Sequence, residues 1–220
     1  MPSHAQRALL LVDIQNDFMP GGALAVPDGD AVVPVANALI PKFDLVVATR
    51  DFHPPGHESF ASQHEGKAPG EIIDLHGLEQ VLWPDHCVQG TPGSELVDAL
   101  DTDAITAVFP KGTDPSVDSY SGFFDNGQRH DTGLGDWLKE RDVESVWVLG
   151  VATDYCVKFT ALDAAKLGFR TFLVEDGVRG VNLQEGDDAL DGGGPVRPHD
   201  QGRALFEDRP HRLEVLVRLR

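Results

Sequence analysis

Cys156 is the residue of this sequence best placed to do chemistry. It follows the apolar run in "VLGVATDYCVKFT" and precedes a segment with helical apolar spacing. A thiol in the first turn of a helix faces unpaired backbone N–H groups and the positive end of the helix dipole, and both lower the thiol pKa. The same N–H groups can stabilise an oxyanion on a bound acyl group. The position therefore favours a nucleophile over the alternative, a buried structural cysteine.

A nucleophilic thiol needs a base, and two other predicted strand ends offer partners for it. Asp13 ends the apolar run "LLLV", so its carboxylate should be partly desolvated and its pKa raised toward a useful range. The alternative for Asp13 is a turn or helix cap. Lys111, in "VFPKGTD", could pair with Asp13 or orient the reacting group, and its alternative is a solvated surface lysine. Taken with Cys156, these residues predict a catalytic set.

A carboxylate and several histidines form a second candidate group. Asp51 and His53 are two residues apart in "RDFHPPGHESF", so in an extended chain their side chains point the same way, and "LWPDHCVQG" adds His86. One carboxylate with two imidazoles suits Zn²⁺, Mn²⁺ or Fe²⁺. The alternative is a polar loop with accidental histidines, since the chain has nine. We predict a metal at these three residues, with His57 as a possible further ligand and Cys87 as structural.

The pattern of apolar runs predicts the elements that position these residues. Runs rich in Val, Leu and Ile predict strands at 8–13, 45–49, 104–109, 145–149, 171–174 and 213–219, and helices are predicted at 30–41, 131–141, 155–167 and roughly 200–207. This alternation predicts an α/β class protein, a three-layer α/β/α sandwich with a six-stranded, mostly parallel, doubly wound sheet. Ligands bind outside the carboxyl ends of such strands, where all the candidate residues fall.

Two stretches interrupt the alternation. The region at about 52–91 is rich in Pro, Gly and His and is predicted to be a long functional loop. The segment 184–198 is acidic and Gly-rich, which suggests a mobile connection. The length of 220 residues fits a single domain, 1–220.

Composition excludes several classes of function. The net charge of −18, from 36 acidic and 18 basic residues, repels phosphate backbones and anionic lipids, so we predict no nucleic-acid and no membrane partner. No apolar run approaches the ~20 residues of a membrane span, and the first ten residues lack a signal-peptide segment, so we predict a cytoplasmic protein. Two cysteines are too few for a disulfide framework, and a reducing cytoplasm disfavours a Cys87–Cys156 bridge.

The chain resembles the nicotinamidases of the isochorismatase-like cysteine hydrolase superfamily. The resemblance runs from Ala8 to about Val181, and the Gly-rich tail departs from it. The matching motifs, in family order, are "LLLVDIQNDFMPGGALAV", "ATRDFHPPGHESFAS", "LWPDHCVQGTPGSEL", "FPKGTDPSVDSYSGFFD", "VLGVATDYCVKFTALDA" and "VEDGVRGV". The metal-loop motifs separate nicotinamidases from isochorismatase relatives, which lack the cysteine.

This resemblance implies the isochorismatase-like hydrolase fold and a metal-dependent amidohydrolase that converts nicotinamide to nicotinate and ammonia through a thioester, in NAD salvage. It implies that Cys156 attacks the carboxamide carbon, that Asp13 accepts the proton and that Lys111 positions the pair. It also implies an oxyanion hole from the backbone N–H groups of Ala152 and Cys156, after a cis Val151–Ala152 peptide.

The resemblance further implies that Asp51, His53 and His86 hold a divalent transition metal, with zinc as the first choice and manganese or iron as alternatives. In relatives this metal binds the pyridine nitrogen. The fourth metal position varies across the family, which leaves His57 and Ser59 open. Relatives have pocket aromatics at the positions of Phe18, Trp83 and Tyr120. A related cysteine amidase and a catalytically silent binding protein are the alternative functions, and both a monomer and a homo-oligomer are open.

Overall fold

The described structure, a computed structural model, covers residues 6–183 and the backbone of Leu213–Glu214. Its main strands are β1 (Gln6–Val12), β2 (Leu45–Asp51), β5 (Ala107–Lys111), β6 (Val143–Val151), β7 (Arg170–Arg179) and β8 (Leu213–Glu214). A separate hairpin consists of β3 (Ile72–Leu75) and β4 (Leu78–Val81), and the α-helices are α1 (Val32–Leu39), α2 (Leu134–Lys139) and α3 (Lys158–Lys166).

The main sheet has the strand order β5-β2-β1-β6-β7-β8, and every neighbouring pair in it is parallel. The chain winds outward from β1 through β2 to β5, then returns to the other side of β1 and winds outward again. This is a doubly wound sheet, with its switch point between β1 and β6, where such folds bind ligands. The predicted fold class is therefore confirmed.

Alternating residues of β1 face two separate apolar cores, because successive side chains of a strand point to opposite faces of the sheet. Leu9 and Leu11 pack in the core that contains the buried face of α1. Ala8, Leu10 and Val12 pack in the core that contains residues of α2 and α3. The sheet is thus the middle of three layers, which explains why β1 is an unbroken apolar run.

Four strands, β2, β5, β6 and β7, extend further at their carboxyl ends than predicted. The pairing of β2 with β5 continues to Asp51↔Lys111, so both of these polar residues end their strands instead of following them. The prediction stopped β2 and β5 where the apolar run stopped, but backbone pairing does not require apolar side chains.

The predicted strand at 213–219 is described only at its first two residues, which pair with Thr171 and Phe172. The helix expected at 200–207 and the segment 184–198 lie outside the described residues.

Two further expectations were wrong in part. The predicted helix at 155–167 does not begin as an α-helix, because a π-helical turn over Thr153–Val157 precedes α3. The region 52–91 is not wholly a loop, since it contains the antiparallel β3–β4 hairpin. In the part of the chain that the structure describes, no helix is long and apolar enough to cross a membrane. Both cysteines are free thiols.

Gly150 allows β1 and β6 to approach each other at the switch point. It pairs with Val12, and its φ of +127° lies in a region that favours glycine. A Cβ placed on Gly150 would lie 2.0 Å from the carbonyl oxygen of Val12. A side chain here would therefore push apart the two strands that carry the candidate base and nucleophile.

We expect Gly150→Ala to lower the free energy of unfolding by about 3 kcal/mol, because it combines overpacking against backbone with a strained φ. Urea denaturation of the wild type and the variant measures this difference. Gly127→Ala is the control, since the three atoms nearest to a Cβ there all belong to the flexible Arg129 side chain. Equal stabilities of the Gly150 and Gly127 variants would contradict the close-approach argument.

Candidate active site

Lys111 lies at the centre of a buried polar cluster at the carboxyl edge of the sheet. Its Nζ is 2.9 Å from Asp13 Oδ2, 3.1 Å from Asp51 Oδ1 and 3.4 Å from Cys156 Sγ. It also donates to the carbonyl oxygen of Ser119 at 2.9 Å. The three residues predicted as a catalytic set are therefore in mutual contact, and Asp51 of the predicted metal group joins them through the same ammonium.

Asp13 owes its position to the end of β1. Its φ of +49° turns the chain away from the sheet, which directs the carboxylate into the protein. The Thr49 hydroxyl donates to Asp13 Oδ1 at 2.6 Å. Sequence reasoning missed Thr49, although it lies on the predicted strand next to β1.

The turn that carries Cys156 is fixed at both ends. The N–H groups of Tyr155 and Val157 both donate to the carbonyl oxygen of Ala152, at 3.1 and 3.0 Å. The buried Asp154 carboxylate accepts the N–H groups of Val181 and Asn182, at 3.0 and 2.8 Å. The Val151–Ala152 peptide is cis, as the resemblance implied. The oxyanion role of the Ala152 and Cys156 N–H groups stays a prediction.

The thiol pKa differs from the expectation. Burial raises the pKa of Cys156 well above its ordinary value, and the Asp13 and Asp51 charges add to the rise, while Lys111 opposes it. The expected lowering at a helix N-terminus is therefore wrong, because desolvation of the thiolate outweighs it. Burial also raises the pKa of Asp13, as expected, with Lys111 opposing the rise. The resting thiol is neutral, so a reaction at sulfur requires a base.

Asp51 and Lys111 both remain charged in spite of their burial. Burial alone would raise the pKa of Asp51, but attraction to His53 and Lys111 holds it well below its usual range. Burial alone would lower the pKa of Lys111, but Asp13 and Asp51 hold it well above its usual range. The ammonium thus remains available to stabilise negative charge at Cys156.

The three predicted metal ligands converge on one point. Asp51 Oδ2 lies 3.1 Å from His53 Nε2 and 3.3 Å from His86 Nε2, and all three residues are buried. His53 Nδ1 donates to the carbonyl oxygen of Gly112 at 2.9 Å, and His86 Nδ1 donates to that of Pro84 at 2.8 Å. A carbonyl only accepts, so each Nδ1 carries hydrogen. Burial alone would lower the pKa of His53, but attraction to Asp51 raises it, so without a cation the His53 Nε2 also holds a proton. A bound cation would replace this proton and take the lone pair of each Nε2. These donors fit a divalent metal.

Gly112 is required beside the His53 imidazole. Its φ is +63°, and a Cβ there would lie 2.5 Å from Cε1 of His53. Only glycine lets this backbone come close enough to accept the imidazole N–H while Lys111, the preceding residue, reaches the thiol.

His57 and Ser59 are paired with each other. The Ser59 N–H donates to His57 Nδ1 at 3.1 Å, and the Ser59 hydroxyl lies 2.8 Å from the same atom. This bonding occupies the Nδ1 lone pair. A second group of possible ligands does exist, since the donor atoms of His53, His57 and Asp118 lie within 4.8 Å of one another. The tautomers favour the group with Asp51 and His86, so His57 and Ser59 stay possible ligands only.

Aromatic residues surround both halves of the site. Trp83 contacts Tyr155 and Tyr120 edge to face, with ring centroids 4.8 and 6.4 Å apart. The Tyr120 hydroxyl accepts from Trp83 Nε1 and from Gln80 Nε2, each at 3.2 Å. Phe18 lies against the His86 ring at 5.6 Å. Trp83 and Tyr120 therefore adjoin the nucleophile turn, and Phe18 adjoins the metal group.

Sequence reasoning missed several residues that hold this arrangement together. Phe60 is fully buried and packs against the rings of His53, His57 and His86. Tyr155 adjoins the thiol and completes the aromatic wall with Trp83 and Tyr120. The sequence carried a signal for Phe60, because an apolar residue in a polar, His-rich stretch indicates a buried contact. No local pattern marked Tyr155 as a residue of the site.

Comparison with known proteins identifies the family. A family model described as the isochorismatase domain matches residues 7–193. The chain belongs to the isochorismatase family. Within this family, a nicotinamidase of Escherichia coli (strain K12) is 55% identical over an alignment of 189 residues that covers 83% of this chain and 87% of that protein.

Solved structures agree with this family assignment. A nicotinamidase and pyrazinamidase of Acinetobacter baumanii is 45% identical with a TM-score of 0.81, covering 84% of this chain and 89% of that one. A pyrazinamidase of Pyrococcus horikoshii, solved in complex with zinc, is 39% identical with a TM-score of 0.69, covering 97% of this chain and 99% of that one.

The electrostatics of the cluster predict that Asp13→Asn increases the thiolate fraction of Cys156. The substitution keeps the shape of Asp13 but removes a charge that raises the thiol pKa. We expect iodoacetamide to alkylate Cys156 faster at neutral pH, by up to about tenfold, the factor that one pKa unit gives in thiolate fraction.

Mass spectrometry distinguishes this modification from that of Cys87. The exposed Asp98 provides a matched control, because Asp98→Asn removes the same charge from the surface and should leave the alkylation rate unchanged. A slower reaction of Cys156 in Asp13→Asn would mean that Asp13 promotes the resting thiolate, contrary to the charge argument.

Proposed function

We propose that the protein is a nicotinamidase, a metal-dependent cysteine amidohydrolase that converts nicotinamide to nicotinate and ammonia in NAD salvage. One observation carries the proposal: Lys111 joins a thiol and a carboxylate base to an Asp–His–His group that suits a divalent cation. The identity to a nicotinamidase over most of the chain supports the same function. The same site is a candidate for hydrolysis of the analogue pyrazinamide.

The reaction begins at a neutral thiol. Asp13 accepts the proton of Cys156, and the sulfur attacks the carboxamide carbon while Lys111 stabilises the growing negative charge. The N–H groups of Ala152 and Cys156 donate to the tetrahedral oxyanion. Asp13 then gives its proton to the leaving nitrogen, so ammonia departs and a nicotinoyl thioester remains. Asp13 next removes a proton from water, which hydrolyses the thioester and restores the thiol.

Asp51, His53 and His86 would hold the divalent metal through one carboxylate oxygen and two Nε2 atoms. When bound, this ion acts as a Lewis acid that can ligate and orient the pyridine ring. Zinc is the first choice because the donor set is one carboxylate and two imidazoles, and the Pyrococcus horikoshii relative contains zinc. Phe18, Trp83 and Tyr120, with Tyr155, form the apolar walls between which the ring binds.

The decisive experiment measures ammonia release from nicotinamide by the purified protein. We expect turnover by the wild type and a loss of about 10⁴-fold or more in Cys156→Ala, because the covalent step is removed. His53→Ala should lose stoichiometric metal, measured by elemental analysis, and most of its turnover. Cys87→Ala is the matched control, since Cys87 is also a buried free thiol but lies outside the catalytic set, and it should keep its turnover.

The outcomes separate this function from its alternatives. A metal-free protein that hydrolyses another carboxamide, but not nicotinamide, would indicate a related cysteine amidase. Unchanged turnover in Cys156→Ala would overturn the mechanism. No turnover of any carboxamide by the metal-loaded wild type would indicate a silent binding protein.

A further inference from the structure

The backbone of Asp51 needs hydrogen-bond partners that the neighbouring strands do not supply. The pairing of β1 with β2 ends at Leu11↔Ala48, because β1 stops at Val12 and Asp13 turns the chain away. β2 nevertheless continues to Asp51, where only β5 pairs with it. The backbone N–H and carbonyl of Asp51 on the β1 side therefore have no strand partner, although buried backbone groups require one.

The side chain of Gln15 takes the place of the missing strand. Its Oε1 accepts the Asp51 N–H at 2.7 Å, and its Nε2 donates to the Asp51 carbonyl oxygen at 2.7 Å. The same Nε2 donates to the carbonyl oxygen of Ser94 at 2.8 Å. Gln15 is fully buried, so water does not compete for these bonds.

The carboxylate of Asp51 has strict positional requirements. Its Oδ1 must meet Lys111 at 3.1 Å, while its Oδ2 faces His53 Nε2 at 3.1 Å and His86 Nε2 at 3.3 Å. Asp51 is the last residue of β2, the position at which a strand most readily frays. A small shift of this backbone would move the one carboxylate that both halves of the site share.

We propose that Gln15 is a positioning residue, whose carboxamide holds the Asp51 backbone and thereby sets the geometry of the Asp51, His53 and His86 metal group. This inference rests on the metal role assigned under the proposed function. Gln15 touches neither the metal group's donor atoms nor the thiol. It acts through Asp51, and its removal should first weaken metal binding.

The test is zinc affinity, measured by competition with a chromophoric chelator on the purified full chain. Gln15→Met keeps the length and burial of the side chain but removes all three hydrogen bonds. We expect its zinc Kd to rise about 10- to 100-fold, the range typical of lost support for a ligand. Added zinc should restore most of its nicotinamide turnover, which a general loss of folding would not allow.

Two further variants complete the test, one at Gln15 and one control away from the site. Gln15→Glu retains the acceptor for the Asp51 N–H but opposes two carbonyl oxygens, and it should weaken zinc binding even if the Met variant fails to fold. Asn37→Leu is the matched control: the Asn37 amide makes a similar pair of bonds, donating to the Ala99 carbonyl and accepting the Asp101 N–H, each at 2.8 Å, away from the site. Its zinc Kd should equal that of the wild type.

A zinc Kd within twofold of the wild type in both Gln15 variants would overturn the proposal, and so would zinc affinity that falls equally in Asn37→Leu. Failure of the proposed function looks different: zinc binding would weaken in the Gln15 variants as expected, but the zinc-loaded wild type would release no ammonia from nicotinamide.

Discussion

A single buried ammonium holds the site together. Lys111 contacts two carboxylates, Asp13 and Asp51, that would otherwise repel each other in a medium that poorly solvates charge. Removing one partner from a buried ion pair typically costs about 3–5 kcal/mol, because the remaining charge stays uncompensated. The ends of β1, β2 and β5 therefore have to remain adjacent, and any arrangement of the sheet that separated them would leave a charge without its partner.

The doubly wound sheet satisfies this constraint and adds the nucleophile. Asp13 follows β1 and Cys156 follows β6, so they lie on the two sides of the switch point, and Gly150 lets these strands approach closely. The loop region beyond β2 supplies the histidines, and β5 supplies the cation between the two halves. Under the proposed function, thiol chemistry and the ring-binding ion act on two ends of one small substrate, because both groups lie at the carboxyl edge of the sheet.

The sequence allowed the prediction of the elements and of the residues with chemical potential. Apolar runs located β1, β2, β6 and β7, and residues at strand ends pointed to the catalytic set. Features that depend on contacts distant in sequence were not predictable. The raised thiol pKa follows from burial by the whole cluster, which no local pattern encodes. The extension of β2 and β5 through Asp51 and Lys111 and the β3–β4 hairpin depend on backbone pairing and not on apolar periodicity. Gln15 is one of several polar residues in "DIQND", and its partners are 36 and 79 positions away.

Lys111 and Gly112 are consecutive residues, but the first contacts the thiol and the second fixes the tautomer of His53. One peptide unit thus links the reacting sulfur to the imidazole that would hold the ion. The separation between these two chemical centres cannot be lengthened by inserting or deleting loop residues elsewhere. A change of substrate at such a site would have to come from the side chains around it, because the backbone of two consecutive residues sets the distance between the sulfur and the imidazole.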